Sequence, residues 1–141
     1  MLVKLQILFV GRPKDDHANA LAGEYVKRVN RFVRCEMLEI KPDRSEPWPR
    51  GTNTVRVLLD PSGRLLDSAE FARMVEKAAT ESRDIVFVIG GADGAPEQWR
   101  KQADFLLSLS PLTLPHELAR VVLAEQLYRA VATWRGHPYP R

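Results

Sequence analysis

Apolar positions along this chain switch between two spacings, near-continuous short runs and a helical repeat, in regular alternation. Residues 2–10 (LVKLQILFV) are almost unbroken apolar, as expected of a strand covered on both faces, and Gly11, Arg12 and Pro13 mark a turn after it. Asp15 and Asp16 suit a helix start, and Ala18, Leu21, Ala22, Tyr25, Val29 and Phe32 recur at helical spacing, which predicts a helix running through Val33. Residues 35–40 read as a second strand. Residues 41–53 (KPDRSEPWPRGTN) are too rich in proline to hold a good helix and read as a connection.

A third strand is predicted at residues 55–59, closing in a turn at Asp60, Pro61, Ser62 and Gly63. Asp67 and Glu70 then form a capping-box pattern ahead of Phe71, Met74, Val75 and Ala78. Residues 85–89 (IVFVI) are the most strongly β-branched run and predict a central strand, followed by Gly90, Gly91, Ala92, Asp93 and Gly94. Pro96 suits the first turn of a short helix through Trp99 and Ala103. A fifth strand is expected at residues 105–110, then a loop to Pro115 and a last helix from His116 to about Trp134. The fold class is therefore α/β, a mostly parallel sheet flanked by helices.

At 141 residues and 45% apolar composition the chain is expected to form a single domain, residues 1–141. Cys35 is the only cysteine, so one chain builds neither a disulfide framework nor a cysteine zinc site, and a reducing, cytoplasmic setting is expected. No stretch reaches the roughly 20 apolar residues of a membrane span. The formal charge of +3 is too mild to demand a nucleic-acid partner. Its distribution is uneven: residues 1–56 carry a balance of +4 and residues 57–141 a balance of −1.

In a parallel sheet, ligands bind beyond the carboxyl ends of the strands, and three post-strand loops here have unusual compositions. Residues 90–94 are glycine-rich, which lets backbone approach a ligand closely, although a plain turn into the next helix explains them equally. Ser110, Pro111, Leu112, Thr113, Leu114 and Pro115 form a stiff loop suited to recognising an uncharged ring; Thr113 as a helix cap is the simpler reading. Leu59 begins the third loop. His17, His116 and His137 lie far apart beside neither cysteine nor paired carboxylates, so no metal site is expected. His116 reads as a polar contact or a surface residue, and Glu125 with Arg129 as a helical ion pair. The last helix is apolar over most of its circumference, which predicts a homodimer built on it or full burial within one core.

The segments Val88 to Gly94 (VIGGADG), Ser108 to His116 (SLSPLTLPH), Val121 to Ala130 and His137-Pro138-Tyr139, in this order and spacing, resemble the ribosomal large subunit methyltransferase H family. The likeness extends to residues 5–11 and 59–67. It implies a SPOUT fold with a C-terminal trefoil knot, a homodimer, and transfer of methyl from S-adenosylmethionine to N3 of a pseudouridine in 23S rRNA of the ribosome. By matching position it places the cofactor on Leu59, Gly91, Ser110, Pro111, Leu112, Thr113, Leu114 and Pro115. His116, Tyr139 and Arg141 become the candidates beside the reacting base, with Arg120, Glu125 and Arg129 supporting them at the dimer seam. Two departures stand out: residues 41–53 replace an extra helix usual in the family, and Pro140 replaces the second histidine of a His-Pro-Tyr-His-Arg tail. The alternatives are a catalytically impaired ribosome- or RNA-binding homologue and a nucleotide-binding oxidoreductase; the latter lacks the G-x-G-x-x-G fingerprint.

Overall fold

The computed structural model describes residues 3–51 and 53–139. Five strands, β1 (Lys4–Val10), β2 (Arg34–Ile40), β3 (Thr54–Leu65), β4 (Asp84–Ile89) and β5 (Phe105–Ser108), alternate with helices α1 (Asp16–Val29), α2 (Ser68–Thr80), α3 (Glu97–Gln102) and α4 (His116–Trp134). The sheet order is β2-β1-β4-β3-β5 with all pairings parallel, so β4 sits at the centre as its β-branched run predicts.

Local chemistry sets the helix starts. Asp15 caps α1 by accepting from the Ala18 amide at 3.0 Å. Asp67 and Glu70 close the expected box, Asp67 accepting from the Glu70 amide at 2.7 Å and Glu70 from the Asp67 amide at 2.9 Å. α1 stops at Val29, four residues short of the helical apolar repeat. Asn30 accounts for this: its side-chain amide donates to the carbonyls of Val26 (2.9 Å) and Cys35 (2.6 Å) while its oxygen accepts from the Cys35 amide (3.0 Å). One side chain thus caps the helix and launches β2. Thr113 does not cap α4; Pro115 takes that position without a side-chain bond.

The expected turn after the third strand is instead a bulge inside a longer one. Both Leu59 and Arg64 face Leu107, so the residues between them are pushed out of register before pairing resumes. Gly63 is required where the chain returns, because a Cβ there would lie 2.6 Å from the Leu106 carbonyl carbon and oxygen.

The two faces of the sheet are covered unequally. α1, α2 and α4 all pack on the face that carries Leu5, Ile7, Phe87 and Val57, with α4 lying between the other two. The opposite face carries Leu8, Leu58, Val86 and Val88 and is covered by Trp99 of α3 and by Trp48 from the proline-rich connection. That connection is therefore a built cover: Trp99 Nε1 donates to the Arg44 carbonyl at 2.9 Å and Trp48 Nε1 to Gln102 Oε1 at 3.0 Å. The apolar circumference of α4 has an intrachain cause, since two helices and the sheet bury Leu123, Ala124, Leu127 and Val131 completely. What stays partly open is a strip through Leu118, Val121 and Val122. No helix among the described residues is long and apolar enough to cross a membrane.

Candidate active site

Because every strand runs the same way, the loops after β3, β4 and β5 emerge on one edge, and together with the start of α4 they enclose a cleft of about 790 Å³. That lies within the roughly 300–1,000 Å³ of small-molecule sites. Its walls include Leu59, Gly91, all of Ser110, Pro111, Leu112, Thr113, Leu114 and Pro115, and His116. Tyr139 is elsewhere, and Arg141 lies outside the described residues.

The post-β4 turn is drawn tight. The Gly94 amide donates to the Gly91 carbonyl at 2.9 Å, Gly94 adopts a φ of +82°, and a Cβ on Gly90 would sit 2.7 Å from the Ala95 amide nitrogen. A Cβ on Gly91 would meet Val10 Cγ1 at 3.2 Å, so this glycine keeps the turn close against β1 as well as bare toward the cleft. The post-β5 loop is stapled by its own serines. Ser108 Oγ donates to the Ser110 carbonyl at 3.1 Å, and Ser110 Oγ accepts from the Leu112 amide at 2.9 Å. Leu109 and Leu114 pack on the core while Leu112 stands 76% exposed at the lip. Stiff backbone and leucine side chains suit a flat, uncharged ring.

Two wall residues carry charge without having been singled out by sequence. Asp60, 7% exposed, accepts from the Ser62 amide and hydroxyl, both at 2.9 Å, and pairs with the guanidinium of Arg100 on α3. The pair clasps the β3 bulge to the element after the glycine turn. Asp-Pro-Ser-Gly is a signal for a local turn, and no local signal points from Asp60 to a residue forty positions on.

His116 opens α4 against the loop after β1; a Cβ on Gly11 would lie 3.7 Å from its Cε1. Next to it, Glu117 accepts from the amides of Lys14 (2.7 Å) and Asp15 (3.1 Å). The Asp15 and Lys14 bonds, aided by Arg120 and His116 against the cost of burial, hold its carboxyl below the usual range.

Arg120 corrects an expectation. It is 1% exposed within one chain, its guanidinium 4.0 Å from the Phe9 ring centroid and within 3.4 Å of Asn19 Oδ1, so it lies inside the fold and cannot line a seam between copies. Burial draws its pKa below the usual guanidinium value, with Glu117 and Glu39 opposing. Its Nε has no hydrogen-bond partner among the described residues.

Glu125, Arg129 and Tyr139 form a second cluster. Arg129 Nη2 donates to Glu125 Oε2 at 2.8 Å and the Tyr139 hydroxyl donates to the same oxygen at 2.6 Å. Tyr139 also packs against Tyr128, the rings tilted and their centroids 4.6 Å apart. Burial, then the bond to Glu125, push the Tyr139 phenol above its ordinary range. Burial works against the Glu125 carboxylate, but the bonds from Tyr139 and Arg129 outweigh it and its pKa falls. Glu125 therefore adds stability that is present above the ordinary carboxylate range and lost as pH drops through its lowered folded pKa. Tyr139→Phe is expected to cost about 1 kcal/mol at neutral pH, and the difference from wild type should narrow below about pH 4; urea melts at both pH values measure it. Glu125 is nine residues along α4 from His116, about 14 Å, so one chain does not bring Tyr139 and His116 together.

The described residues hold no group of three His, Cys, Asp or Glu placed to bind a metal. Burial and then Glu36 push the Cys35 thiol up to about 12, which leaves it protonated and no nucleophile. The chemistry this arrangement supports is the holding of a ligand in a fixed position.

A family model described as predicted SPOUT methyltransferase matches residues 3–140. Curated relatives named ribosomal RNA large subunit methyltransferase H match nearly the whole chain. The protein of Solibacter usitatus is 50% identical over 139 residues, 99% of this chain and 100% of its own. That of Thermus thermophilus is 42% identical over 139 residues, 99% of each chain. That of Koribacter versatilis is 39% identical over 142 residues, 97% of each.

Proposed function

The chain belongs to the SPOUT methyltransferase family, and from that premise we propose that it methylates N3 of a pseudouridine in 23S rRNA of the large ribosomal subunit, with S-adenosylmethionine as donor. The observation that carries the reading is the single cleft into which Leu59, Gly91 and residues 110–115 all converge. The donor set fits an adenosyl group: leucine side chains for the ring, fixed amides and carbonyls for its edge, and glycine backbone where a Cβ would intrude. When bound, the cofactor supplies an electrophilic methyl group.

The chain's own residues act by position. A lone pair held about 3–3.5 Å from an electrophilic carbon and correctly aligned gains most of its rate from placement. N3 of a uridine-type ring carries a proton, and His116, which lines the cleft, would hydrogen-bond the ring as that proton passes to solvent water. Tyr139 completes the reading only if it comes from a second copy, because within one chain α4 separates it from His116, and Arg141 is proposed to act with it. A homodimer packed through Leu118, Val121 and Val122 of α4 would supply them, and those side chains form the strip that the fold leaves partly open. A C-terminal trefoil knot is part of this proposal, on the family's resemblance alone. A cytoplasmic setting follows from the ribosomal substrate.

Ribosomes from a strain lacking the modification, incubated with the protein and labelled cofactor, are expected to take label into 23S rRNA at one pseudouridine. Tight cofactor binding without incorporation would favour an impaired ribosome-binding homologue. Preference for NAD over S-adenosylmethionine would overturn the proposal.

A further inference from the structure

α3 is six residues long and starts at Pro96 without a side-chain cap. A helix so short is not stable on its own, so its place is set by what its side chains grip. On one side Arg100 pairs with the buried Asp60 carboxylate and donates from Nη2 to Ser62 Oγ at 3.3 Å, which ties α3 to the β3 bulge. Asp60, Ala95 and Arg100 all line the cleft. On the other side α3 carries the proline-rich connection. Besides the two indole bonds, Gln102 Nε2 donates to the Ser45 carbonyl at 3.3 Å, so Gln102 holds the connection with both ends of its amide. Among the described residues, each hydrogen bond that seats residues 43–50 on the rest of the molecule runs to α3. Residues 41–46 are exposed, whereas Pro47 and Trp48 are buried, the Trp48 ring centroid 5.9 Å from the Arg56 guanidinium. The connection is a strap without helix or strand of its own, fastened to one small element.

Resting on the reading of the cleft as a cofactor site, we propose that this strap is a latch on the cleft, acting through α3. Seated, it fixes α3 and with it the wall that Asp60 and Arg100 form; lifted, it lets α3 shift and weakens the hold on S-adenosylmethionine. The route is contiguous, from Arg44, Ser45 and Trp48 to Trp99 and Gln102, and from Arg100 on the same helix to Asp60. A cover that only shields Leu8, Leu58, Val86 and Val88 accounts for the buried indoles. It does not account for the same helix gripping the cleft wall with Arg100. Coupling of this kind is reciprocal: the factor by which a seated strap tightens the cofactor is the factor by which bound cofactor seats the strap. Any partner that draws the strap away therefore loosens the cofactor as well.

Gln102 lies outside the cleft, and Gln102→Leu keeps the bulk of the side chain while removing both of its bonds to the strap. Calorimetric titration of the full chain is expected to show S-adenosylmethionine bound about fivefold more weakly in this variant. In the unaltered protein, hydrogen exchange at the amides of residues 41–51 is expected to slow by a similar factor when the cofactor saturates the cleft. Arg100→Gln cuts the link and leaves the strap's own bonds in place, so at saturating cofactor that slowing should vanish. Val75→Ala, which opens a cavity on the opposite face of the sheet, reads what lost stability does by itself and should keep wild-type affinity. Wild-type affinity in Gln102→Leu would overturn the proposal, as would an equal loss in Val75→Ala. So would strap exchange that ignores the cofactor in the unaltered protein, or slowing that persists in Arg100→Gln. Absence of cofactor binding by the unaltered protein is a different result: it would overturn the reading of the cleft, and the latch with it.

Discussion

Gly90→Ala is expected to lower affinity for S-adenosylmethionine at least a hundredfold and to leave the sheet folded. The added Cβ would lie 2.7 Å from the Ala95 amide nitrogen and 2.8 Å from the Gly94 carbonyl carbon. Both are backbone atoms, so no side chain can swing away, and the turn itself must open. Opening breaks the bond between the Gly94 amide and the Gly91 carbonyl and draws Gly91 off the cleft wall. The strand before the turn is held by β1 and β3 on both sides, so the stability cost stays near that of local overpacking, about 1–3 kcal/mol. Gly94→Ala is the control: its φ of +82° costs about 1 kcal/mol, but nothing lies within 4 Å of the new methyl. Calorimetric titration reads the binding and circular dichroism melts read the fold. Unchanged affinity in Gly90→Ala would remove the glycine turn from the cofactor site.

Trp99→Ala is expected to cost about 3–5 kcal/mol, a large share of the stability of any chain this size. The side chain is fully buried and is one of the few covers on the thinner face of the sheet, in one cluster with Trp48, Leu8, Leu58, Val86 and Val88. Its loss also orphans the Arg44 carbonyl that accepts from its indole. The proline-rich connection should loosen with it, so that proteolysis within residues 41–51 accelerates before the sheet unfolds. Denaturant titration and timed proteolysis measure the two effects. A cost below about 1 kcal/mol would mean that this face is held by something other than Trp99.

Much of the fold is legible along the chain, and what is legible is local. The Asp67 and Glu70 pair lies three residues apart, so its reciprocal bonds form wherever the helix forms. The continuous apolar runs of β1 and β4 announce strands covered on both sides. Where sequence and structure part, a side chain has found a partner that periodicity cannot see. Asn30 ends α1 four residues early because the carbonyl of Cys35 lies within its reach. The bulge at Asp60 lengthens β3 because β5 resumes pairing beyond it.

The cleft divides the same way. Loop composition marks Gly91 and residues 110–115 as unusual, and parallel strands imply a common edge. Asp60 and Arg100 carry no such mark, since the clasp between them exists only once α3 has folded beside the bulge. Arg120 reads as one more polar position on a helix, yet it is sealed against Phe9 and Asn19, the latter 101 positions away.

The amino-acid sequence by itself determined the order of strands and helices, the helix starts, the parallel class and the family motifs. Each depends on bonds within one turn or on an apolar period, which a stretch of chain carries with it. Only the tertiary structure decided which loops share a cleft, how thinly one face is covered, and why His116 and Tyr139 stand apart. Those relations join residues distant along the chain, and packing rather than local preference selects them.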